Sequence, residues 1–334
     1  MSAKKHPTVG TICSHSALQL FHGARTEGLS TLGICAPDRV DLYESFPRAR
    51  PDELLVVDNY GDILSEEFQS RLREKNVIIV PHGSFVEYVG AEPLLSDFHV
   101  PIFGNKYTLK WESDREKERE WLDLAGIKVP RNYNSPTDID GTTIVKFSGA
   151  KGGEGFFLVD SEEDFHEKIE DSDDDYTIQE WIEGTRYYPH YYYSPIDERL
   201  EILGIDRRDE SNVDEYYRAG KGEKSFVVVG NKPLVARESL LPQLYEMGKK
   251  LVGASKELFG PGIFGPFCLE TICTDGLEFV TFEVSGRIVA GTNLYPEGSP
   301  YSTYYYDEPM STGRRIAREI IQADEAGEIS QITT

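Results

Sequence analysis

Basic side chains are scarce in this chain. It carries 35 lysines and arginines against 58 aspartates and glutamates over 334 residues, a formal charge of −23. A protein that binds DNA or RNA non-specifically must neutralise phosphates along its surface, so this balance excludes that class. It leaves a small anionic ligand open, because a few local cations suffice for one. Long apolar runs are also missing. No window approaches the ~18 apolar residues of a membrane helix. The start, Met1-Ser-Ala-Lys-Lys-His-Pro, has no apolar stretch behind its lysines, so no secretory signal is expected and a cytoplasmic protein is. Cysteine is rare: Cys13, Cys35, Cys268 and Cys273, none in a CxxC pair. That speaks against a zinc site and for reduced core thiols. There is no GxGxxG, hence no dinucleotide fingerprint, and no GxxxxGK[ST] phosphate loop. Internal repeats and low-complexity linkers are absent.

What is present can pack. The chain is 39% hydrophobic with 19 Tyr, 16 Phe and 3 Trp, which excludes global disorder. Its length is at the upper limit for one core, so two or three lobes are expected. Strands are predicted at 8–13, 30–35, 54–58 and 76–80, with helices at 15–27 (closed by Gly28) and 66–75. Strands alternating with helices give a parallel sheet with right-handed crossovers, a Rossmann-like lobe of α/β class. A helix at 114–125, with a charge run read as its solvated face, leads to strands at 144–147, 156–159 and 176–182. These form a small α+β lobe, with an acidic loop at 171–175. The remainder reads as strands at 187–193 and 226–229, a helix at 238–258, a hairpin of 267–273 and 277–284 about Asp275-Gly276, and a last helix after Ser311 or Thr312.

Four places carry chemistry. Ser14-His15-Ser16 and Pro81-His82-Gly83-Ser84 both follow strands of the parallel lobe. Ligands of open α/β sheets bind at those strand ends, where helix N-terminal amides attract anions. Each serine alone is as well explained as a helix cap. Lys146 lies between Val145 and Phe147 and precedes a glycine-rich turn, Lys151-Gly152-Gly153-Glu154-Gly155. Such a turn can fold over phosphates, and an apolar strand is a costly place for an idle lysine. Gln179-Glu180-Trp181-Ile182-Glu183 alternates acid and apolar groups at a strand end, an edge that suits an adenine and a ribose. Finally, Glu270 and Glu283 come out close to cross-strand neighbours in the predicted hairpin, flanked by Phe267, Leu269, Phe279 and Phe282. Paired carboxylates on one apolar face repel unless a cation joins them, and oxygen ligands of this kind suit Mg²⁺ bridging nucleotide phosphates. The tyrosine runs at 187–193 and 304–306 read as packing.

Taken in order, a strand lysine, a glycine-rich loop, a Gln-Glu-Trp-Ile-Glu hinge and paired glutamates ending in Glu283-Val-Ser285-Gly-Arg287 resemble the ATP-grasp superfamily. More narrowly, Ser14-His-Ser-Ala-Leu, Pro81-His-Gly-Ser, Phe147-Ser-Gly-Ala-Lys-Gly-Gly, Asp206-Arg-Arg, Arg237-Glu-Ser-Leu-Leu and Phe264-Gly-Pro-Phe resemble one archaeal branch. That branch is the formate-dependent 5-formaminoimidazole-4-carboxamide ribonucleotide synthetase family. The resemblance spans nearly the whole chain. It implies an ATP-grasp fold with a Rossmann-like N-terminal lobe at 1–100, a small lid lobe at 101–185 and a C-terminal lobe at 186–334. It implies that His15, Ser84 and Asn231 contact an aminoimidazole carboxamide ribonucleotide. Lys106, Lys146, Lys151, Gly152, Gly153, Gly155, Glu180, Trp181, Ile182, Glu183 and Glu210 would hold ATP, and Glu270 and Glu283 would bind Mg²⁺ or Mn²⁺. The general superfamily pattern extends to Arg287 as a catalytic cation beside Lys146, and to Asn293 at the substrate. Ser285 stands where an asparagine ligand is usual. The implied partners are ATP, formate and the ribonucleotide, in a homo-oligomer. Two alternatives stay open: an ATP-grasp ligase for another carboxylate and amine, and a non-catalytic nucleotide sensor.

Overall fold

The computed structural model describes residues 6–147, 156–169, 175–210 and 227–334. The first sheet comprises β1 (Thr8–Ile12), β2 (Thr31–Cys35), β3 (Glu53–Val56) and β4 (Val77–Ile79). It is parallel throughout, in the order β3-β2-β1-β4. Every residue of β1 and β2 is buried, as a parallel sheet covered on both faces requires. Its helices are α1 (Ala17–Thr26), α2 (Val40–Glu44), α3 (Glu66–Glu74), α4 (Gly83–Tyr88) and α5 (Ala91–Ser96). The chain leaves α1 through Gly28 at φ 84°, a conformation open to glycine. The Ser65 hydroxyl opens α3 by accepting from the Phe68 amide.

Helices α6 (Tyr107–Ser113) and α7 (Arg115–Leu124) precede a second, antiparallel sheet. That sheet has β5 (Asn132–Tyr133), β6 (Thr143–Phe147), β7 (Phe156–Val159) and β8 (Tyr176–Glu180) in the order β5-β8-β6-β7, with α8 (Glu162–Lys168) packed on it. Tyr133, Val145, Val159, Phe165 and Ile178 make its separate core. Helix α7 joins a different core. Trp121 donates its indole N–H to the Leu251 carbonyl at 3.0 Å, and Trp121 and Leu122 pack under the third sheet. The charged stretch read as a solvated face therefore has a buried side. The glycine-rich turn with Lys151, Gly152, Gly153 and Gly155, and the acidic loop up to 174, lie outside the described residues.

The third sheet is antiparallel, in the order β11-β10-β9-β12-β13. It is made of β9 (Thr185–Ser194), β10 (Arg199–Glu210), β11 (Val228–Pro233), β12 (Gly265–Cys273) and β13 (Phe279–Ser285), with α9 (Leu241–Leu258) and α10 (Thr312–Ala326). No strand is expected from the sequence at 199–210, yet at 12 residues β10 is longer than any other described strand. Its charged residues hide its period. Glu201 is fully buried because Arg315 of α10 reaches it, and Arg315 also pairs with Glu319 and lies 4.5 Å over the Tyr192 ring. The helix expected from 238 begins at Leu241, after a 3-10 turn, with a proline in its first turn where no N–H is missed.

Helix α10 returns to the first lobe and lies against α1. A Cβ on Gly23 would come within 2.3 Å of the Arg314 amide nitrogen, so the two helices approach backbone to backbone. The chain end follows: the Ile102 and Gly104 amides donate to the Thr334 and Ile332 carbonyls, each at 3.0 Å. A bridge between His82 and Ile288 joins the parallel lobe to the end of β13.

Candidate active site

Two groups of side chains meet along one crevice. The first gathers where β1 and β4 end. His15 turns the chain into α1 at φ 53°, the left-handed region that non-glycine residues rarely enter. Its Nδ1 is 2.7 Å from the Ser16 hydroxyl. Its ring stacks on His82, with centroids 5.2 Å apart and planes 7° from parallel. His82 lies 2.9 Å through Nε2 from the Ile12 carbonyl, an acceptor only, so Nε2 carries the hydrogen. Its Nδ1 then accepts from the Ser84 amide at 3.3 Å. Gly83 keeps this corner thin: a Cβ there would stand 3.3 Å from the His15 ring and 3.5 Å from an Arg287 terminal nitrogen. Asn293 donates to the His15 carbonyl at 3.1 Å. The His15 ring has solvent access but is walled by protein. Desolvation, then His82, Arg287 and Arg208, hold it well below the usual imidazole range. Arg287 and Arg208, each paired with a carboxylate, supply the positive charge beside this histidine.

The second group is carboxylate-rich. Glu270 of β12 and Glu283 of β13 are direct cross-strand partners. Glu118 of α7 and Glu112 of α6 approach from below. Glu118 accepts from the Val284 amide, and Glu112 accepts from the Gly286 amide and from Arg287 Nε at 3.2 Å. Glu283 keeps an exposed surface, yet the protein packed around its carboxyl raises it to about 7 by desolvation, with Glu270 adding to the rise and Arg208, Arg287 and Lys146 opposing it. Glu118 is pushed well above its ordinary value by burial and by Glu283. Lys146 extends from the small sheet, donates to Gln179 at 2.9 Å, and faces Glu283, Glu118 and Glu270. Burial pulls its ammonium down while those acids hold it up.

Arg208 links the groups. It grips Glu270 with two nitrogens, Nη1 at 2.7 Å from Oε2 and Nη2 on Oε1, and its guanidinium lies 4.1 Å from the Tyr188 ring centroid. On the same sheet face Asn231 donates to Asp206 at 2.7 Å, and the other Asp206 oxygen is 2.7 Å from His190 Nε2. Glu210 pairs with Arg186.

The donor set fits a hard divalent cation. Carboxylates are crowded enough to raise one another's proton affinity, which is the condition an added cation relieves. Among the described residues no three His, Cys, Asp or Glu side chains form a metal cage by themselves. Glu270 and Glu283 therefore fit a cation that takes its remaining ligands from a bound nucleotide or water.

The structure brings His15, Ser84, Asn293 and Arg287 together, and Lys146 to Glu270 and Glu283. Asn231 shares their sheet face. Trp181, Ile182 and Glu183 join the second sheet to the third; the Trp181 amide donates to Thr142, and the Glu180 carboxylate accepts from the Arg131 amide. Lys106 is turned to the Leu95 and Phe98 carbonyls, at 3.2 and 3.5 Å. The sequence alone assigns no role to Arg208, Glu112, Glu118 or Asp206. Positions 206, 208 and 210 alternate, a signal that depends on recognising β10, while Glu118 was masked by the charge run around it.

A parallel-sheet lobe, a small antiparallel lobe and a five-stranded sheet bearing opposed glutamates define a protein of the ATP-grasp class. Residues 9–133 match the family described as "Protein of unknown function (DUF1246)" and residues 161–334 that described as "Domain of unknown function (DUF1297)". The chain is 52% identical to the 5-formaminoimidazole-4-carboxamide-1-(beta)-D-ribofuranosyl 5'-monophosphate synthetase of Korarchaeum cryptofilum, over 97% of this chain and 94% of that protein. It is 53% identical, with the same coverage, to the synthetase of that name from Methanosarcina barkeri. Among solved structures, it resembles an IMP biosynthesis protein PurP from Thermococcus kodakaraensis at 35% identity and TM-score 0.81, over 98% of this chain and 100% of that one. An ADP complex of purK, an N5-carboxyaminoimidazole ribonucleotide synthetase, shares the fold at 15% identity and TM-score 0.68, over 96% of this chain and 79% of that one. The chain belongs to the 5-formaminoimidazole-4-carboxamide ribonucleotide synthetase family.

Proposed function

We propose that this protein is a carbon–nitrogen ligase that formylates 5-aminoimidazole-4-carboxamide ribonucleotide with ATP and formate, without folate, for purine synthesis. The observation that carries the reading is the Glu270–Glu283 pair facing Lys146 beside the His15–Arg287 corner. One half suits a metal-bound triphosphate and the other a phosphorylated substrate.

In the proposed reaction a formate oxygen attacks the γ-phosphorus and ADP leaves, giving formyl phosphate. The 5-amine of the ribonucleotide attacks the formyl carbon, phosphate departs and the amine loses a proton. Formate needs this activation because an oxide is a hopeless leaving group. Catalysis is then mainly positioning and charge neutralisation. A divalent cation, Mg²⁺ or Mn²⁺, held by Glu270 and Glu283 would neutralise nucleotide phosphate charge. Lys146 and Arg287 would face the transferring group. Glu180, Trp181, Ile182, Glu183 and Glu210 would bind the nucleoside, together with the turn at 151–155. Lys106 would have to exchange its carbonyl partners for phosphate. His15, Ser84, Asn231 and Asn293 would hold the ribonucleotide, and the small sheet would close over formyl phosphate, which water destroys. Assembly into a homo-oligomer is part of the proposal, supported by the exposed Val228, Val229 and Val235 on and beside edge strand β11. So is a cytoplasmic location; no described helix is long and apolar enough to cross a membrane.

The test is incubation with ATP, Mg²⁺, formate and the ribonucleotide, with no folate. ADP, phosphate and formylated product should appear in equal amounts. Absence of formate-dependent ADP release would sink the reading.

A further inference from the structure

We propose that Arg208 is the residue that grips formate, exchanging Glu270 for the substrate carboxylate once a metal–nucleotide complex claims Glu270. This rests on the formate-ligase reading above.

The geometry argues for it in three steps. First, Arg208 already holds a carboxylate in the two-pronged manner that a guanidinium fork favours, with Nη1 and Nη2 on the two Glu270 oxygens. The Tyr188 ring beneath fixes the plane of the fork, 4.1 Å from its centroid. The receptor is thus formed before substrate arrives. Second, its present partner is a carboxylate that the divalent cation needs. A compact dication attracts Glu270 more strongly than a delocalised single charge does. Losing Glu270 would leave a mostly buried guanidinium without its strongest partner, which is costly. A free carboxylate restores the pairing, and formate is the smallest one. Third, the other cations of the crevice have different duties. Arg287 is tied to Glu112, and Lys146 extends from the small sheet to Gln179. Arg208 lies between the acid cluster and the His15 corner and bears on both. There each oxygen of the gripped formate keeps a lone pair beyond its hydrogen bond to the fork, one of which attacks phosphorus, and the formyl carbon stays open to the amine. No proton need move in the first step: the oxygen–phosphorus bond forms as the bond to ADP breaks.

The exchange also imposes an order, because formate competes with Glu270 until the metal–nucleotide complex is bound. Two measurements test this. In steady state, Arg208→Lys and Arg208→Gln should raise the KM for formate by about tenfold to a hundredfold, the loss of a charge-assisted pair. The KM values for ATP and the ribonucleotide should stay within about threefold. In thermal shift without turnover, formate should raise the wild-type melting temperature only when Mg²⁺ and a non-hydrolysable ATP analogue are present. It should do nothing to either variant, while the shift from Mg²⁺ and analogue persists in both. An unchanged KM for formate, a change confined to ATP, or a formate shift that needs no metal would each overturn the proposal. Wild-type protein with no formate-dependent ADP release would instead overturn the functional reading beneath it.

Discussion

His82 shows how one fixed hydrogen sets the character of a crevice. Its Nε2–H goes to the Ile12 carbonyl, so its Nδ1 must remain a lone-pair acceptor for the Ser84 amide, and the ring has no place for a second proton. Burial lowers it to about 4, with Arg287 adding to the fall and the Ile12 hydrogen bond opposing it. An unfolded imidazole takes a proton near pH 6.5, whereas the folded one resists until about pH 4. Stability from this residue is therefore complete above pH 6.5 and is lost as pH falls toward 4, by about 3 kcal/mol in all. His82→Gln, which keeps an N–H for Ile12 but cannot titrate, should flatten that part of the profile. Denaturant unfolding of both proteins between pH 7 and pH 4 checks it; parallel curves would contradict the assignment. The stacked His15 should likewise stay neutral, leaving the charge of this corner to Arg287 and Arg208. At this scale the sequence was legible in placement: Glu270 opposes Glu283, Lys146 faces them, and His15 lies at the end of β1 beside His82. It was not legible where a residue acts through burial. Glu118 looks like any member of a charged helix until its carboxylate is found accepting from the Val284 amide.

Elements were readable to the extent that one period dominated them. Strands β1, β2 and β4 are buried throughout and read as plain apolar runs. The β12–β13 hairpin could be registered by counting out from its turn, and Glu270 does oppose Glu283, although a bulge follows at Thr271. Strand β10 defeated the same reading because buried Glu201 and Asp206 interrupt its apolar run and its second half is charged, with Asp206, Arg208 and Glu210 engaged by Asn231, Glu270 and Arg186. A search for apolar alternation stumbles where buried Leu200, Ile202, Leu203 and Ile205 are interspersed with buried, paired Glu201 and Asp206. The contact of α1 with α10 was hidden for another reason: it depends on what glycine lacks. A Cβ on Gly23 would strike the Gly313–Arg314 backbone at 2.3–2.8 Å, and neither helix can yield without shifting its whole axis. Gly23→Ala should therefore cost about 1–3 kcal/mol despite the better helix propensity of alanine. Gly253→Ala is the control, because its Cβ meets nothing within 4 Å on an exposed helix position. That change should be neutral or stabilise by about 0.5–1 kcal/mol. Equal effects of the two substitutions would mean that the helices do not meet as described.

For the whole molecule, the charge of −23 and the crevice pull in opposite directions. The surplus acid repels itself over the surface, a self-energy that favours expansion and that salt screens. The crevice sets Lys146 and Arg287 against carboxylates, and its proposed ligand is a polyanion with a divalent cation. Salt screens those attractions as well. Added KCl should then act with opposite sign on two quantities in one titration. From about 0.05 M to 1 M, the Debye length falls from above 10 Å to about 3 Å. The melting temperature of the ligand-free protein should rise, on the order of a few degrees. The further rise produced by a fixed concentration of Mg²⁺ and ADP should shrink over the same range, because the affinity behind it falls. If both quantities rose together, the nucleotide would not be held by this cationic cluster. If the ligand-free protein were insensitive to salt, its acidity would already be balanced by the many surface ion pairs, such as Lys128–Glu278 and Arg131–Asp140. Net charge alone excluded a nucleic-acid partner at the outset. Only the placement of a few cations opposite Glu270 and Glu283 distinguishes a solvated acidic surface from the proposed site for a metal and a triphosphate.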